Sequence, residues 1–360
     1  MTQSNKNRIR LAWLALFTVS LAVALKAEDA KLAVCVTVPD LGELARIVGG
    51  DDVQVTVLTK GPQDPHTIVA RPSFVRSIHN ADVFVEAGLE LEVGWSPRLL
   101  QTARNPTVRP GGRGYIDASR AVRPLAVPKT PVSRAMGDVH ALGNPHYLLD
   151  PLNGLRVATL LAERFSVLRP GRKAAFTGRL DAFRTRVAES LFGKELLNKY
   201  EREDLPKLLK LLERGGVARF VGFLEKERQK ELLGGWVGAL WPYDGTRCVA
   251  DHDTWRYLTR RFGLKVVAFL EPKPGLVPTT RHLGQVITGA REQKVAAVLS
   301  CVYLNARHAR FVARHVGIPV VEMAHQSGSR KGADDYLGVF DYNVRQLVKA
   351  LEKSRPGGQP

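Results

Sequence analysis

The sequence predicts an α/β protein of two lobes, each a mostly parallel sheet flanked by helices, joined by one long rigid bridging helix. Three observations predict it. From residue 31 to about 117, short apolar runs of strand length alternate with helical stretches, the pattern of parallel βαβ units. That alternation then stops, and 151–191 keeps apolar residues at helical spacing, among them Leu155, Ala158, Leu161, Ala162 and Phe165. It restarts at 246 and continues to a final helix over 334–353. A chain of 360 residues, 44% hydrophobic and 24% charged, has the length of roughly two domains, and its composition excludes wholesale disorder and fibrous repeats.

Residues 1–27 read as a secretory signal. Lys6, Arg8 and Arg10 precede an uncharged, mostly apolar run of 15 residues, Leu11 to Leu25, and cleavage is expected near Ala27. The run falls short of the roughly 20 residues that cross a bilayer. Cys35 follows bulky Val34 inside a strand-like run well past the apolar segment, which argues against lipid attachment there. A periplasmic protein is the expectation.

The first lobe, 28–150, opens with a buried strand over 31–38 (KLAVCVTV), a helix over 40–48 and a strand over 53–58. A polar loop, GPQDPHT, leads to a helix opening near Pro72, a strand over 82–86, a helix over 91–103 and a short strand near 114–117. A Pro-rich loop ends in GDVHALGNPHYLLDP. The bridging helix follows over 151–191, with Arg169-Pro170-Gly171 expected to kink it before it resumes its direction. The second lobe, 192–360, begins with a helical insertion at about 192–240, punctuated by Gly215-Gly216 and Gly234-Gly235. Strands over 246–250, 264–269, 295–302 and 318–323 then alternate with helices over 254–262, 280–293, 305–316 and 334–353.

The net charge is +18. Residues 1–27 hold four basic side chains and no acidic one, which leaves about +14 on the remainder. The Lys and Arg are scattered along helices without a zinc-finger, RNP-like or basic-arm pattern, so nucleic acid is not an expected partner. Three cysteines, Cys35, Cys248 and Cys301, make neither a disulfide framework nor a CxxC pair, so any metal would be held by His and carboxylate.

There are nine histidines. His79, His282, His308 and His315 lie on predicted helices among polar neighbours and read as solvated. His66, His252 and His325 each follow a strand, and His146 stands at the base of the bridging helix. In open parallel α/β sheets ligands bind outside the carboxyl ends of the strands, so these four, drawn from both lobes, can converge on the cleft. Asp64, Asp150, Asp251 and Asp253 stand near them in sequence, where a carboxylate can orient a metal-bound imidazole. Neutral imidazole suits Zn²⁺ and similar ions rather than Ca²⁺ or Mg²⁺.

The segments GPQDPHTIVARPS, ADVFVEAGLELE, GDVHALGNPHYLLDP, ADHDTWRYLTRRFGL and GADDYLGVFDYNV resemble, in order, the metal-specific solute-binding proteins of ABC importers, the zinc and manganese receptors of the periplasm. The resemblance runs over most of 31–352 and is weakest in 192–240. It implies His66, His146 and His252 as metal ligands, and a His at the third position points to the zinc-type branch. The family places an Asp or Glu after the last strand, where this chain reads MAHQSGSRKGADDY. His325 is the nearest candidate for a fourth ligand, with Asp334, Asp335 or water as alternatives, and His140 is expected in the loop beside the site. The implied function is capture of Zn²⁺, with Mn²⁺ second, by a monomer that delivers it to a membrane permease, without catalysis. Two other readings stand beside it: a receptor for another cargo such as a metal chelate, and a secreted metallohydrolase. No HExxH is present to support the latter.

Overall fold

The computed structural model describes residues 30–130 and 139–354; the expected signal segment lies outside the described residues. The first lobe runs β1 (Leu32–Val36), α1 (Pro39–Gly49), β2 (Val53–Val57), α2 (Pro72–His79), β3 (Val83–Glu86), α3 (Ser96–Ala103) and β4 (Tyr115–Asp117). The strands are parallel in the order β2-β1-β3-β4, with Val34 opposite both Val55 and Val83. Central β1, LAVCV, is apolar on both faces because helices cover both, and Cys35 is buried within it.

Helices α1 and α2 each begin at a proline after an extended residue, Val38 and Arg71, where the missing N–H costs no helical hydrogen bond. Helix α3 begins at Ser96 rather than at 91. Gly88, Leu89 and Glu90 all take positive φ, and the buried Glu92 carboxylate accepts from the N–H groups of Ala87 and Gly88 at 2.7 and 3.1 Å. This carboxyl-stapled turn replaces the first helical turn that apolar spacing suggests.

The helical stretch is divided at Arg169, whose backbone (φ −139°, ψ 76°) leaves the helical region that a following proline disfavours. Helix α4 (Pro151–Leu168) ends there, and after a 3-10 turn over Pro170–Arg172 helix α5 (Lys173–Phe192) begins. The direction reverses instead of resuming. The Phe165 and Phe176 rings meet at 5.8 Å, and Tyr336 stands against Gly154 near the start of α4 and against Phe183 in the middle of α5. Helix α5, 20 residues long, is the one that joins the lobes. Arg179 donates to the Gly49 carbonyl and pairs with Asp52 at 2.8 Å in lobe one. At its far end the Phe192 carbonyl accepts from Gly234 N–H of lobe two at 2.8 Å.

Helices α6 (Lys194–Leu197), α7 (Leu205–Lys226) and α8 (Gly235–Leu240) occupy the expected insertion. Gly216, at φ 68°, breaks α7 where the glycine pair stands. The second lobe then runs β5 (Arg247–Ala250), α9 (Arg256–Arg261), β6 (Lys265–Phe269), α10 (Thr280–Glu292), β7 (Ala297–Cys301), α11 (Ala306–Val316), β8 (Val320–Met323) and α12 (Tyr336–Lys353). Its parallel order, β6-β5-β7-β8, repeats that of lobe one. One apolar core runs through both lobes, from Val34 and Val85 by way of Phe165, Phe183 and Tyr336 to Cys248 and Leu299. The lobes are thereby packed together rather than strung on a linker.

Candidate metal centre

In each sheet the direction of strand addition changes beside its first strand, and such switch points open crevices at the carboxyl ends. The two crevices face each other, and three imidazoles enter the space between them. His66 arrives on the loop after β2. Its Nδ1 meets Asp64 Oδ1 at 2.7 Å, the same oxygen accepts from its own backbone N–H at 3.0 Å, and Trp95 Nε1 pins the loop through the Pro65 carbonyl at 3.0 Å. His146 stands just before α4. Its N–H donates to Asn144 Oδ1 at 2.9 Å, and the next residue, buried Tyr147, donates its hydroxyl to the Ala87 carbonyl. His252 follows β5, with its N–H on Asp251 Oδ1 at 2.8 Å and its Nδ1 on Glu271 Oε2 at 2.7 Å.

A carboxylate on Nδ1 makes that nitrogen the proton carrier and leaves Nε2 with its lone pair for a metal. In His66 and His252 this is the arrangement. The donor atoms of His66, His146 and His252 lie within 4.8 Å of one another, and the Nε2 atoms of His66 and His146 are buried without a hydrogen-bond partner. Buried polar nitrogens left without a partner are rare, and a bound cation is what would satisfy them. The three rings stand edge to face, with centres 5.1 to 5.8 Å apart.

Burial and neighbouring charge act differently on the groups of the site. Burial, reinforced by the neighbouring imidazoles, holds His146 well below the usual histidine range. Burial pulls His252 the same way, but the Glu271 hydrogen bond and charge outweigh it and raise the ring above its ordinary value. Burial pushes the Asp64 carboxyl up, and the hydrogen bond and charge of His66 more than reverse that.

Two more histidines border the three. His325, after β8, bonds through Nε2 to the Gln63 carbonyl at 3.2 Å and sets its ring edge-on to Tyr303, with Nδ1 buried and unpartnered. The structure therefore places His325 beside the site and outside the group of three. His140 stacks on His66, ring centres 5.3 Å apart, and its Nε2 is also buried without a partner. Burial lowers both rings to about 4, so both are neutral at pH 7. Asp335 caps α12 through Gly338 N–H, and it and Asp334 are exposed.

Of the carboxylates nearest in sequence, only Asp64 serves its histidine's ring. Asp150 caps α4 and forms a buried pair with Arg261 across the lobes at 2.7 Å, and Asp253 pairs with Arg256. Sequence reasoning missed Glu271. It follows β6, the strand beside β5, and carboxyl-end residues of neighbouring parallel strands meet, which is the signal that would have found it.

Both lobes close on the site through polar contacts. Asn144 Nδ2 donates to the Asp253 carbonyl at 2.6 Å, and the Tyr257 hydroxyl donates to the Asn144 carbonyl at 2.9 Å. Ser327 donates its N–H and hydroxyl to buried Asp40 at 2.7 and 2.6 Å, and Gln326 Nε2 donates to the Gly61 carbonyl. A Cβ on Gly61 would stand 2.1 Å from the Gly328 carbonyl carbon, so the two loops approach backbone to backbone.

Two parallel-sheet lobes clasping a cluster of imidazoles, two of them oriented by carboxylates, make up a bilobed binding protein. The chain belongs to the family described as zinc-uptake complex component A, periplasmic (ZnuA), which matches residues 34–190 and 238–350. Zinc-binding lipoprotein AdcA of Streptococcus pneumoniae is 22% identical over 346 residues; the alignment covers 93% of this chain, which spans 59% of AdcA's length. Manganese ABC transporter substrate-binding lipoprotein PsaA of Streptococcus mitis is 19% identical over 333 residues, 91% of each chain. A crystal structure of ZnuA superposes with a TM-score of 0.63 at 20% identity, covering 89% of this chain and 99% of that one.

Proposed function

We propose that this protein is the extracytoplasmic metal-binding component of an ABC importer: it captures Zn²⁺ and hands it to a transmembrane permease, with residues 1–27 as its export signal. The observation that carries this reading is the set His66, His146 and His252, whose donor atoms lie within 4.8 Å of one another at the meeting of both lobes. Zinc takes four ligands in tetrahedral sites at about 2.0–2.1 Å from imidazole nitrogen. A nitrogen-only triad favours it over Mn²⁺, which prefers carboxylate and water. Cargo capture needs no bond chemistry, and a site closed around its ion leaves no water to activate.

Metal-stripped protein titrated with Zn²⁺ and Mn²⁺ in competition, the metal counted by mass spectrometry, tests the proposal. One Zn²⁺ per chain, retained against excess Mn²⁺ and lost in a His66→Ala/His252→Ala double variant, is the expected outcome. Binding that the double variant leaves intact would place the cargo elsewhere, and displacement of Zn²⁺ by Mn²⁺ would overturn the choice of metal.

A further inference from the structure

We infer that His140 is the fourth metal ligand and that His325 positions the His66 loop instead of coordinating. The inference rests on the metal-receptor reading above and specifies its coordination. The argument begins with spacing. An imidazole nitrogen about 2.0–2.1 Å from the ion puts the ring centre about 3.2 Å from it, so two imidazoles at a tetrahedral angle have centres roughly 5 Å apart. The three pairs among His66, His146 and His252 stand at 5.1, 5.8 and 5.6 Å. His140 stands 5.3 Å from His66, within the same range of spacing. Its Nε2 is buried and has no hydrogen-bond partner, which leaves its lone pair available.

His325 differs in its ring contacts and in the use of its Nε2. Among the described residues its ring meets Tyr303, at 4.8 Å, and none of the other histidines. Its Nε2 is taken by the Gln63 carbonyl, three residues before His66. With a proton on Nε2, His325 donates to the loop that carries His66 and helps to place it. Its Nδ1 is unpartnered too, but the ring edge is set on Tyr303 and not on the three imidazoles.

His140 lies outside the set within 4.8 Å, stacked at 25° on the His66 ring, so it must turn off that face to reach the ion. The backbone gives it a base to turn from. Ala141 N–H is held by Glu90 Oε2 at 2.6 Å, and the His140 carbonyl accepts from Gly143 N–H at 3.2 Å, while Ala141 and Leu142 are exposed. A ligand on an exposed turn can close last and leave first. Four neutral nitrogens and no carboxylate would sharpen the preference for Zn²⁺ over Mn²⁺. Without His140 the fourth position falls to water, as in sites that keep an open position.

The test uses Co²⁺ as a spectroscopic stand-in for Zn²⁺, with the imidazole count taken from X-ray absorption. Wild type and His325→Ala are expected to show four imidazoles and a strong tetrahedral visible band. His140→Ala is expected to show three imidazoles, a weakened and shifted band, and Co²⁺ affinity at least tenfold lower, with an unchanged far-UV circular dichroism spectrum. Four imidazoles in His140→Ala, or loss of one in His325→Ala instead, would overturn the assignment and leave the metal-receptor reading standing. Should His140→Ala fail to fold, the count in His325→Ala decides alone: four supports His140 and three refutes it. Failure of wild type to bind Co²⁺ and Zn²⁺, or binding unaffected by His66→Ala, would bring down the receptor reading and this one with it.

Discussion

Replacing Glu271 by Gln keeps the shape of the side chain and removes the charge that locks His252. The carboxylate accepts from His252 Nδ1 at 2.7 Å, and the two side chains are only 13% and 9% exposed. Outer carboxylates of this kind typically contribute about 10- to 100-fold to metal affinity, which is about 1.4–2.7 kcal/mol. The low exposure sets the expectation near the upper end, because little water screens the pair. The His66–Asp64 pair supplies an internal comparison. Its distance is the same, 2.7 Å, but Asp64 is 30% exposed, so Asp64→Asn should cost nearer tenfold. The assay is competition against a chromophoric zinc chelator at fixed pH and ionic strength, with melting curves to confirm that both variants fold. Wild-type affinity in Glu271→Gln, or a larger loss in Asp64→Asn, would refute the reasoning that a buried carboxylate orients His252 for the ion.

The interlobe contacts yield three further expectations. Gly61→Ala sets a Cβ 2.1 Å from the Gly328 backbone, which cannot yield as a side chain would; a lower melting temperature and a larger radius of gyration by small-angle scattering are expected. Arg261→Met strips the nearly buried Asp150 carboxylate of its partner and should cost on the order of 3–5 kcal/mol in urea unfolding. Burial pushes the Asp40 carboxyl from 3.8 up to about 7, against two hydrogen bonds from Ser327. The folded state then binds a proton that the unfolded chain has released, so this contribution is full below pH 3.8 and is lost as pH rises through 7, a fall of about 4 kcal/mol. Asp40→Asn should flatten that part of the stability profile, and an unchanged slope in denaturant titrations at several pH values would contradict it.

The strands and their parallel direction were legible because they are short runs between helical repeats, and β1 and β7 are buried on both faces. Three of the imidazoles were legible for a related reason: the carboxyl ends of such strands and the base of the bridging segment have few other places to point. What was not legible is contact between residues remote in the chain. Asp150, four residues after His146, reads as its partner, yet Arg261 takes that carboxylate from 111 residues away. His325 sits at a strand end like the others, and only the approach of the Gln63 carbonyl from the opposite lobe shows where its ring is held. The break at Arg169 could be read from Pro170, but the reversal could not. A proline suits the first turn of a new helix as well as a kink in an old one, and the packing of Phe165 on Phe176 decides between them.

The same contacts bear on how such a protein lets its cargo go. Swinging the lobes apart as rigid bodies would break the Asp40–Ser327, Gln326–Gly61, Asn144–Asp253 and Asp150–Arg261 contacts together, and would split an apolar core that is continuous through α4 and α5. Several of those groups are buried, so each separation would expose or strand a polar partner at roughly 1–3 kcal/mol. Withdrawing one ligand-bearing loop breaks far less. The residues after β5 that carry His252 are held by the Asp251 carboxylate, the Glu271 carboxylate and the Asn144 amide, and also by Trp255, which is fully buried in the core. His66 and His146 are likewise fixed to the core of lobe one by Trp95 and Tyr147. Among the histidine-bearing segments, the turn after His140 is then the least tied to either core, because Ala141 and Leu142 are exposed, so it can move while the fold stays closed.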